Sequence, residues 1–312
     1  MFKPLNYFAI FGFVFFSIPI LAKQPSEKVL VLSPEFSISR KGTEVGQLLN
    51  PLGLAVDPTG NIYVADTGNN RLQKFSPAGK FLAQIGGLGS GSQQFDSPRS
   101  VCASNGINVW VADYNNRRVQ RFDRNLNFVF SFAANENWDE RYQFQLPVGI
   151  CESGQGDLFV ADAGLNRVIK FDSFRKPVAV FGGLDAGQGQ IQEIGGMALS
   201  SEGKLFVSDR QSGEIVVFDY FGNFLSILRD SLLHVPAGLA YWEKERILFV
   251  VDPDRPGIEA FGKTKSGISV SFLQKDPAFQ LKRPVDVAVF GNRLFVLDEE
   301  KGQVLVFKIY RH

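Results

Sequence analysis

The sequence predicts an all-β fold: a six-bladed β-propeller of four-stranded blades, closed by pairing its N- and C-terminal strands. Three observations predict it. One block of residues recurs six times, and each block holds four short apolar runs. The last block stops one strand short, and the chain begins with a piece able to supply it. Four-stranded units of roughly 40–50 residues fit a ring, because radial packing of twisted sheets leaves only short, protected edges.

The block starts Pro51-Leu-Gly53-Leu-Ala55-Val56-Asp57 and turns at Pro58-Thr-Gly60. It continues Asn61-Ile-Tyr-Val64-Ala65-Asp66 and ends Thr67-Gly-Asn69-Asn-Arg71-Leu-Gln-Lys-Phe75. Its copies begin at Pro51, Pro98, Pro147, Ile194, Pro236 and Pro284, at spacings of 47, 49, 47, 42 and 48 residues. Each reaches an aspartate after its second apolar run: Asp66, Asp113, Asp162, Asp209, Asp252 and Asp298. An apolar residue stands three positions before each start: Leu48, Phe95, Phe144, Ile191, Leu233 and Leu281.

In the first copy the strands are Leu54–Val56, Ile62–Ala65, Arg71–Phe75 and Phe81–Ile85. Short β-branched and aromatic runs bounded by Gly, Pro, Asn and Asp carry the strand signature. The sixth copy supplies Val285–Phe290, Leu294–Asp298 and Val304–Tyr310 and lacks an outer strand. The N-terminal piece reads as Val29–Leu32, a turn at Ser33-Pro34, then Phe36–Arg40. Either half can pair with Val304–Tyr310, which leaves one strand surplus. Closure of this kind removes an edge and ties down both termini.

These motifs resemble the NHL family of six-bladed propellers. Pro51-Leu-Gly-Leu-Ala-Val-Asp and Ile62-Tyr-Val-Ala-Asp-Thr-Gly-Asn-Asn-Arg-Leu-Gln-Lys-Phe75 carry the resemblance. Val111-Ala-Asp-Tyr-Asn-Asn-Arg-Arg-Val119 and Val160-Ala-Asp-Ala-Gly-Leu-Asn-Arg-Val168 repeat it. It covers residues 28–312 and fades in the later copies. It implies a protein-binding module, of a kind often attached to a catalytic or kinase domain. Here no RING-type cysteines, kinase motif or second domain accompanies the ring.

Residues 1–22 form the remaining segment. Lys3, an apolar run from Tyr7 to Leu21 and a small residue at Ala22 read as a secretory signal peptide. The run is short for a membrane span and Pro19 interrupts it, so an uncleaved anchor is the alternative. Its removal takes away Lys3 alone and leaves 32 basic against 32 acidic residues. The expectation is a secreted or periplasmic protein, without stable membrane insertion after cleavage, and a monomer.

Composition excludes several classes of function. The full chain has 312 residues, with 33 Lys+Arg against 32 Asp+Glu. That balance promises no basic face, so no nucleic-acid partner is expected. Two histidines do not make a three-histidine zinc site, and two cysteines make neither a four-cysteine site nor a disulfide framework. Cys102 and Cys151 take a register position that is Ala55, Ala198, Ala240 and Ala288 elsewhere. They are expected as small buried thiols; a disulfide between them needs a Cα approach of about 7 Å.

The six repeated aspartates read as blade-building residues. In Asp-x-x-Asn-x-Arg, at Asp66/Asn69/Arg71 and Asp113/Asn116/Arg118, the carboxylate accepts backbone N–H groups and the arginine reaches back to it. Leu165 replaces the asparagine, and Glu214, Gly257 and Gln303 replace the arginine, so the later turns require other support. Gly86-Gly-Leu-Gly-Ser-Gly91 and Gly182–Gly189 lack the Lys-Ser/Thr and the helix of a phosphate loop. They are read as crossovers between blades, matched by Gly42–Gln47.

Binding residues are expected on the face that carries the crossovers and the turns after the aspartates. The crossover Asn135–Gln143 brings Trp138, Arg141 and Tyr142, types enriched at binding hot spots. Arg99, Tyr114, Asn115, Arg210 and Arg255 are expected on the same face. Asp286 stands where other copies have Gly53, Ser100, Gly149, Gly196 and Gly238, which places a carboxylate at the channel, paired with Arg283 or Arg99 or free.

Enzymes with related propellers, amidating lyases and lactonases, hold a channel metal. The lyase type uses several histidines; this chain offers His234 and His312. The lactonase pattern of Glu, Asn and Asp has no matching positions. No metal site or cofactor is expected, although oxygen ligands at the channel leave room for calcium. The sequence therefore points to an exported, non-catalytic binding or scaffold protein that uses one face. A metal-dependent lyase or lactonase-like hydrolase at the channel is the alternative, and RNA binding a second.

Overall fold

The computed structural model describes residues 29–262, 267–272 and 276–311. The proposed signal segment 1–22, Lys28 and His312 lie outside the described residues. Six four-stranded antiparallel sheets follow one another along the chain, and proline opens the innermost strand in blades two, three and six. The first blade is Gly53–Val56, Ile62–Asp66, Arg71–Phe75 and Phe81–Gly86. The second begins at Pro98–Cys102, the third at Pro147–Glu152, the fourth at Ile194–Leu199 and the fifth at Leu239–Trp242. The only helical pieces among the described residues are four three-residue 3₁₀ turns.

The sixth blade is Pro284–Phe290, Arg293–Asp298 and Gln303–Arg311, with Val29–Ile38 as its outer strand. The expected closure between the chain ends is present. The expected turn at Ser33-Pro34 is not. Val29–Ile38 is a single strand, pairing antiparallel from Leu30↔Arg311 to Ile38↔Val304. Pro34 has no N–H for the ladder, and the strand absorbs this with a bulge between Pro34 and Phe36. Both halves therefore face the same partner, and no strand is surplus. The N-terminal half also pairs in parallel with Gly267–Phe272, the outer strand of blade five, from Val29↔Ser269 to Leu32↔Phe272.

Six apolar clusters fill the six gaps between neighbouring blades. Alternate residues of each second strand point to opposite gaps: Tyr63 packs toward blade two and Val64 toward blade six. All six apolar residues that precede the repeat starts are buried, which gives that sequence signal its cause. The aromatic content concentrates between blades two and three, where Trp110, Phe130, Phe132, Phe144 and Phe171 pack edge to face.

The repeated proline also has a structural cause. Pairing of the innermost strand slips between Pro98 and Ser100, Pro147 and Gly149, and Pro284 and Asp286. A residue without an N–H starts the strand beside the aspartate, and the bulge after it re-aims the next side chain toward the channel.

Candidate functional site

The repeated aspartates fix the loops of one face, here called the upper face. All six are buried. In the first three blades the aspartate lies directly opposite the arginine that opens the next strand: Asp66↔Arg71, Asp113↔Arg118 and Asp162↔Arg167. Asp66 Oδ2 accepts from Arg71 Nε at 2.7 Å, Asn69 Nδ2 at 2.8 Å and Gln73 Nε2 at 3.0 Å. Its Oδ1 accepts the Leu49 N–H at 2.7 Å, from the crossover rather than from its own turn. Asp113 repeats this with Arg118, Asn116, Gln120 and the Asp96 N–H. The arginine extends the clip: Arg71 Nη2 donates to the carbonyls of Glu44 and Gln47, and Arg118 to those of Ser90, Gly91 and Gln94.

These contacts explain two of the crossover glycines. The Gln47 and Gln94 amide groups fold back over their own loops, where their Oε1 atoms accept the Glu44 and Gly91 N–H groups. A Cβ on Gly42 would sit 1.9 Å from Gln47 Oε1, and one on Gly89 would sit 2.3 Å from Gln94 Oε1. Gln73 and Gln120 were the missed members of this network. Their signal is visible as Asp-x-x-Asn-x-Arg-x-Gln in the first two copies and in no other.

Inside this frame the innermost strands line a channel. Its upper mouth is a cavity of about 340 Å³ walled by Leu54, Val101, Ile150, Met197 and Leu239, with Arg99, Arg210, Arg283, Asp286 and Glu299. Arg99 is the bulged residue between Pro98 and Ser100. Its guanidinium lies over the Tyr114 ring, 3.7 Å from the centroid. Arg210 Nε stands 3.6 Å from Glu193 Oε1, an ion pair without a hydrogen bond. The Nε atoms of both Arg99 and Arg210 are buried with no hydrogen-bond acceptor among the described residues. Arg283 is engaged by Glu299 at 3.0 Å.

Asp286 pairs with neither Arg283 nor Arg99. Its Oδ2 accepts the Leu54 N–H of blade one at 2.7 Å, and its Oδ1 accepts the Val287 N–H at 2.9 Å. Ser100 does the equivalent more weakly, accepting from Ile150 N–H at 3.3 Å. Backbone donors hold the carboxylate in place of the arginines, and the chain leading into the innermost strand of blade five crowds it from the other side. A Cβ on Gly238 would meet Asp286 Cα at 2.4 Å. Burial pushes the Asp286 carboxyl up to about 7, against the lowering effect of its two backbone donors.

The remaining residues expected at the site divide. Asn115 donates to Asp96 Oδ1 at 2.7 Å and to Ser97 Oγ at 3.1 Å, which ties its loop. Arg255 is exposed and meets His234 Nε2 at 3.3 Å. Trp138, Arg141 and Tyr142 are not in the channel cavity. Trp138 packs 5.4 Å from the Phe171 ring and Tyr142 joins the same apolar cluster, so both rings cover blade three. Arg141 is exposed over Tyr142, with Asp139 3.3 Å away.

Cys102 and Cys151 are free thiols. Burial pushes both up from the ordinary thiol value, Cys151 the further. The lower end of the channel is a second cavity, about 580 Å³, carrying Asp57, Glu152, Glu202 and Glu243. Each of these acids is already engaged. Asp57 accepts from Thr59, Asn61 and Tyr63; Glu152 from Asn105 and Asn108; Glu243 from Ser201; Glu202 pairs with Arg246. Among the described residues no three His, Cys, Asp or Glu side chains lie together in a group able to hold a metal ion, and no helix is long and apolar enough to cross a membrane.

Comparison with known proteins agrees with this architecture. The NHL repeat model matches residues 48–75 and 95–122, the two blades with the complete polar network. RING finger protein nhl-1 of Caenorhabditis elegans is 35% identical over 71 residues, 23% of this chain and 7% of that protein. The E3 ubiquitin-protein ligase TRIM71 of Rattus norvegicus is 39% identical over 62 residues, 20% of this chain and 7% of that protein. The chain thus matches less than a tenth of the length of these relatives. A streptogramin B lyase superposes with a TM-score of 0.60 at 12% identity, over 91% of this chain and 87% of that one. At that identity the likeness is one of fold.

Proposed function

We propose that this chain, which is an NHL-repeat six-bladed propeller, is an exported binding protein that recognises a protein partner through its upper face and performs no chemistry. One observation carries the reading: six buried aspartates clip every blade's loop to its crossover, and so convert the loops of one face into a rigid platform. Preorganised loops lose little entropy on binding. The reading assigns recognition to Tyr114, Asn115, Arg210 and Arg255 on that platform. Export rests on the apolar segment 1–22, and the family of the repeats supports a protein partner.

Affinity capture from the native envelope fraction tests this. Tyr114→Ala combined with Arg255→Glu is expected to abolish capture, and Glu243→Lys on the lower face to leave it unchanged. Capture that is indifferent to the upper-face pair, or lost only with the lower-face change, overturns the assignment. A metal-dependent lyase at the channel remains the second reading of the sequence. Its support is a shared fold with a lyase at 12% identity, and no residue of the channel adds to it.

A further inference from the structure

We propose that the upper mouth of the channel binds a small organic acid carrying a hydrogen-bond donor beside its carboxylate, as in a 2-hydroxy acid. The carboxylate sits on Arg99 and Arg210, and the donor on Asp286. This goes beyond a protein-recognition face, because the ligand is small and enters the channel.

Three features of the cavity converge on that ligand. The Nε atoms of Arg99 and Arg210 are buried without an acceptor. Leaving a buried donor unmade costs about 1–3 kcal/mol, and a planar carboxylate matches the guanidinium fork. Among the described residues Arg99 has an aromatic partner and no ion pair, and Arg210 faces Glu193 at 3.6 Å without a hydrogen bond, whereas Arg283 is taken by Glu299 at 3.0 Å. Second, Asp286 occupies a ring position that is Gly or Ser in the other five blades. Its two backbone donors use one acceptor site on each oxygen, and an ionised carboxylate has about four such sites. Asp286 therefore has acceptor capacity left where it lines the cavity. Third, Leu54, Val101, Ile150, Met197 and Leu239 stand among the polar groups of the wall, and the volume of about 340 Å³ admits a small acid with a short hydrocarbon body. The acid at Asp286 disfavours a phosphate dianion, which brings like charge against it. The lower cavity offers no equivalent, since no arginine or lysine lines it.

Titration calorimetry of the purified protein at pH 8, where Asp286 is ionised, tests the inference with three probes: 3-phenyllactate, 3-phenylpropionate, which lacks the hydroxyl, and 3-phenyllactamide, which lacks the charge. Saturable binding of 3-phenyllactate is expected. A hydrogen bond to a charged group is worth about 1.5–3 kcal/mol, so 3-phenylpropionate should bind about tenfold to a hundredfold more weakly. The amide should not bind. Arg99→Gln and Arg210→Gln should each weaken 3-phenyllactate about tenfold or more, and Lys80→Gln, a charge control at an exposed turn, should not. Asp286→Asn should narrow the gap between the two acids while 3-phenylpropionate binding persists. If a glutamine variant does not fold, Arg99→Lys keeps the charge, loses the fork and should also weaken binding. No saturable heat from either acid overturns the proposal. So does affinity indifferent to both arginines, or a preference for inorganic phosphate. None of these readouts depends on capture of a protein partner, so this site and the upper-face reading fail separately.

Discussion

The first two blades and the last three hold the same aspartate in different ways. In blades one and two the carboxylate takes one crossover N–H and three side-chain donors, from Asn, Arg and Gln. In blades four to six the donors among the described residues are backbone alone. Asp209 accepts from the N–H groups of Gln192, Glu193 and Gln211, Asp252 from His234, Val235 and Asp254, and Asp298 from Lys282, Arg283 and Lys301. Blade three stands between. Asp162 takes backbone donors on Oδ1, while Arg167 stops 3.8 Å short of an unpartnered Oδ2, because Leu165 and Ile169 replace the asparagine and glutamine. What all six share is the clip from the crossover about 17 residues upstream. The side-chain network is an addition to that clip, and the arginine, kept in three blades, outlasts the asparagine and the glutamine, kept in two.

The strongest test of this comparison removes the carboxylate where the network is largest. Asp113→Ala leaves the Arg118 guanidinium, whose side chain is 13% exposed, without its counter-charge, together with orphaned donors on Asn116, Gln120 and Asp96. Breaking a buried pair from one side costs about 3–5 kcal/mol, so a loss of that size is expected in denaturant unfolding.

Asp286 sharpens the contrast from the opposite direction, as a buried carboxylate with backbone donors and no cation. Its carboxyl is held at about 7 in the folded chain against an ordinary 3.8. The folded state therefore keeps a proton that the unfolded chain releases. Stability is full below about pH 4, falls as the pH rises to about 7 and is level above that, by at most about 4 kcal/mol. Asp286→Asn removes the titration. The variant should gain on the parent between pH 5 and pH 8 in paired thermal melts, and a constant difference would contradict the burial argument.

Asp298→Ala is the counterpart of Asp113→Ala in the backbone-only group. It strands three N–H groups but no buried cation, so about 1–3 kcal/mol is expected. Equal losses for Asp113→Ala and Asp298→Ala would show that the Asn, Arg and Gln donors add nothing. A larger loss at Asp298 would invert the comparison.

The architecture was legible because its signals are periodic. The repeat starts, the six aspartates and the six apolar residues before each start mark the same structural positions in every blade. The decay of the Arg and Asn positions in later copies also read correctly as a change of support. Two things were not legible. The N-terminal strand looked like two, because Pro34 is a turn residue in most settings and a bulge only when a long partner strand lies beside it. Asp286 looked like half of an ion pair, because sequence cannot show that the neighbouring strand's N–H lies closer than either arginine. Arg99 and Arg210 were expected on one face and Asp286 at the channel; the bulged register of the innermost strands carries Arg99 and Asp286 into one cavity, and Arg210 reaches it from the turn after the second strand of blade four.

Trp138 gives the finest version of the comparison. The crossovers into blades one and two are polar loops clipped by side-chain networks. The crossover into blade three keeps from that network the bond from Arg167 Nη2 to the Gln143 carbonyl, and lays an indole on Phe171 as well. Its backbone clip from Asp162 remains, through the Gln145 and Leu146 N–H groups, so the ring is a second fastening rather than the first. Trp138 is half-buried, and full burial of a large apolar side chain is worth about 1.5–3 kcal/mol. Trp138→Ala should therefore cost about 1–2 kcal/mol, less than either aspartate change. The loss should appear as faster hydrogen exchange confined to residues 135–145, with binding of small acids at the channel mouth unchanged. A variant with unaltered stability and exchange that had lost partner capture would instead place Trp138 at the recognition surface, and would return this crossover to the binding role its composition first suggested.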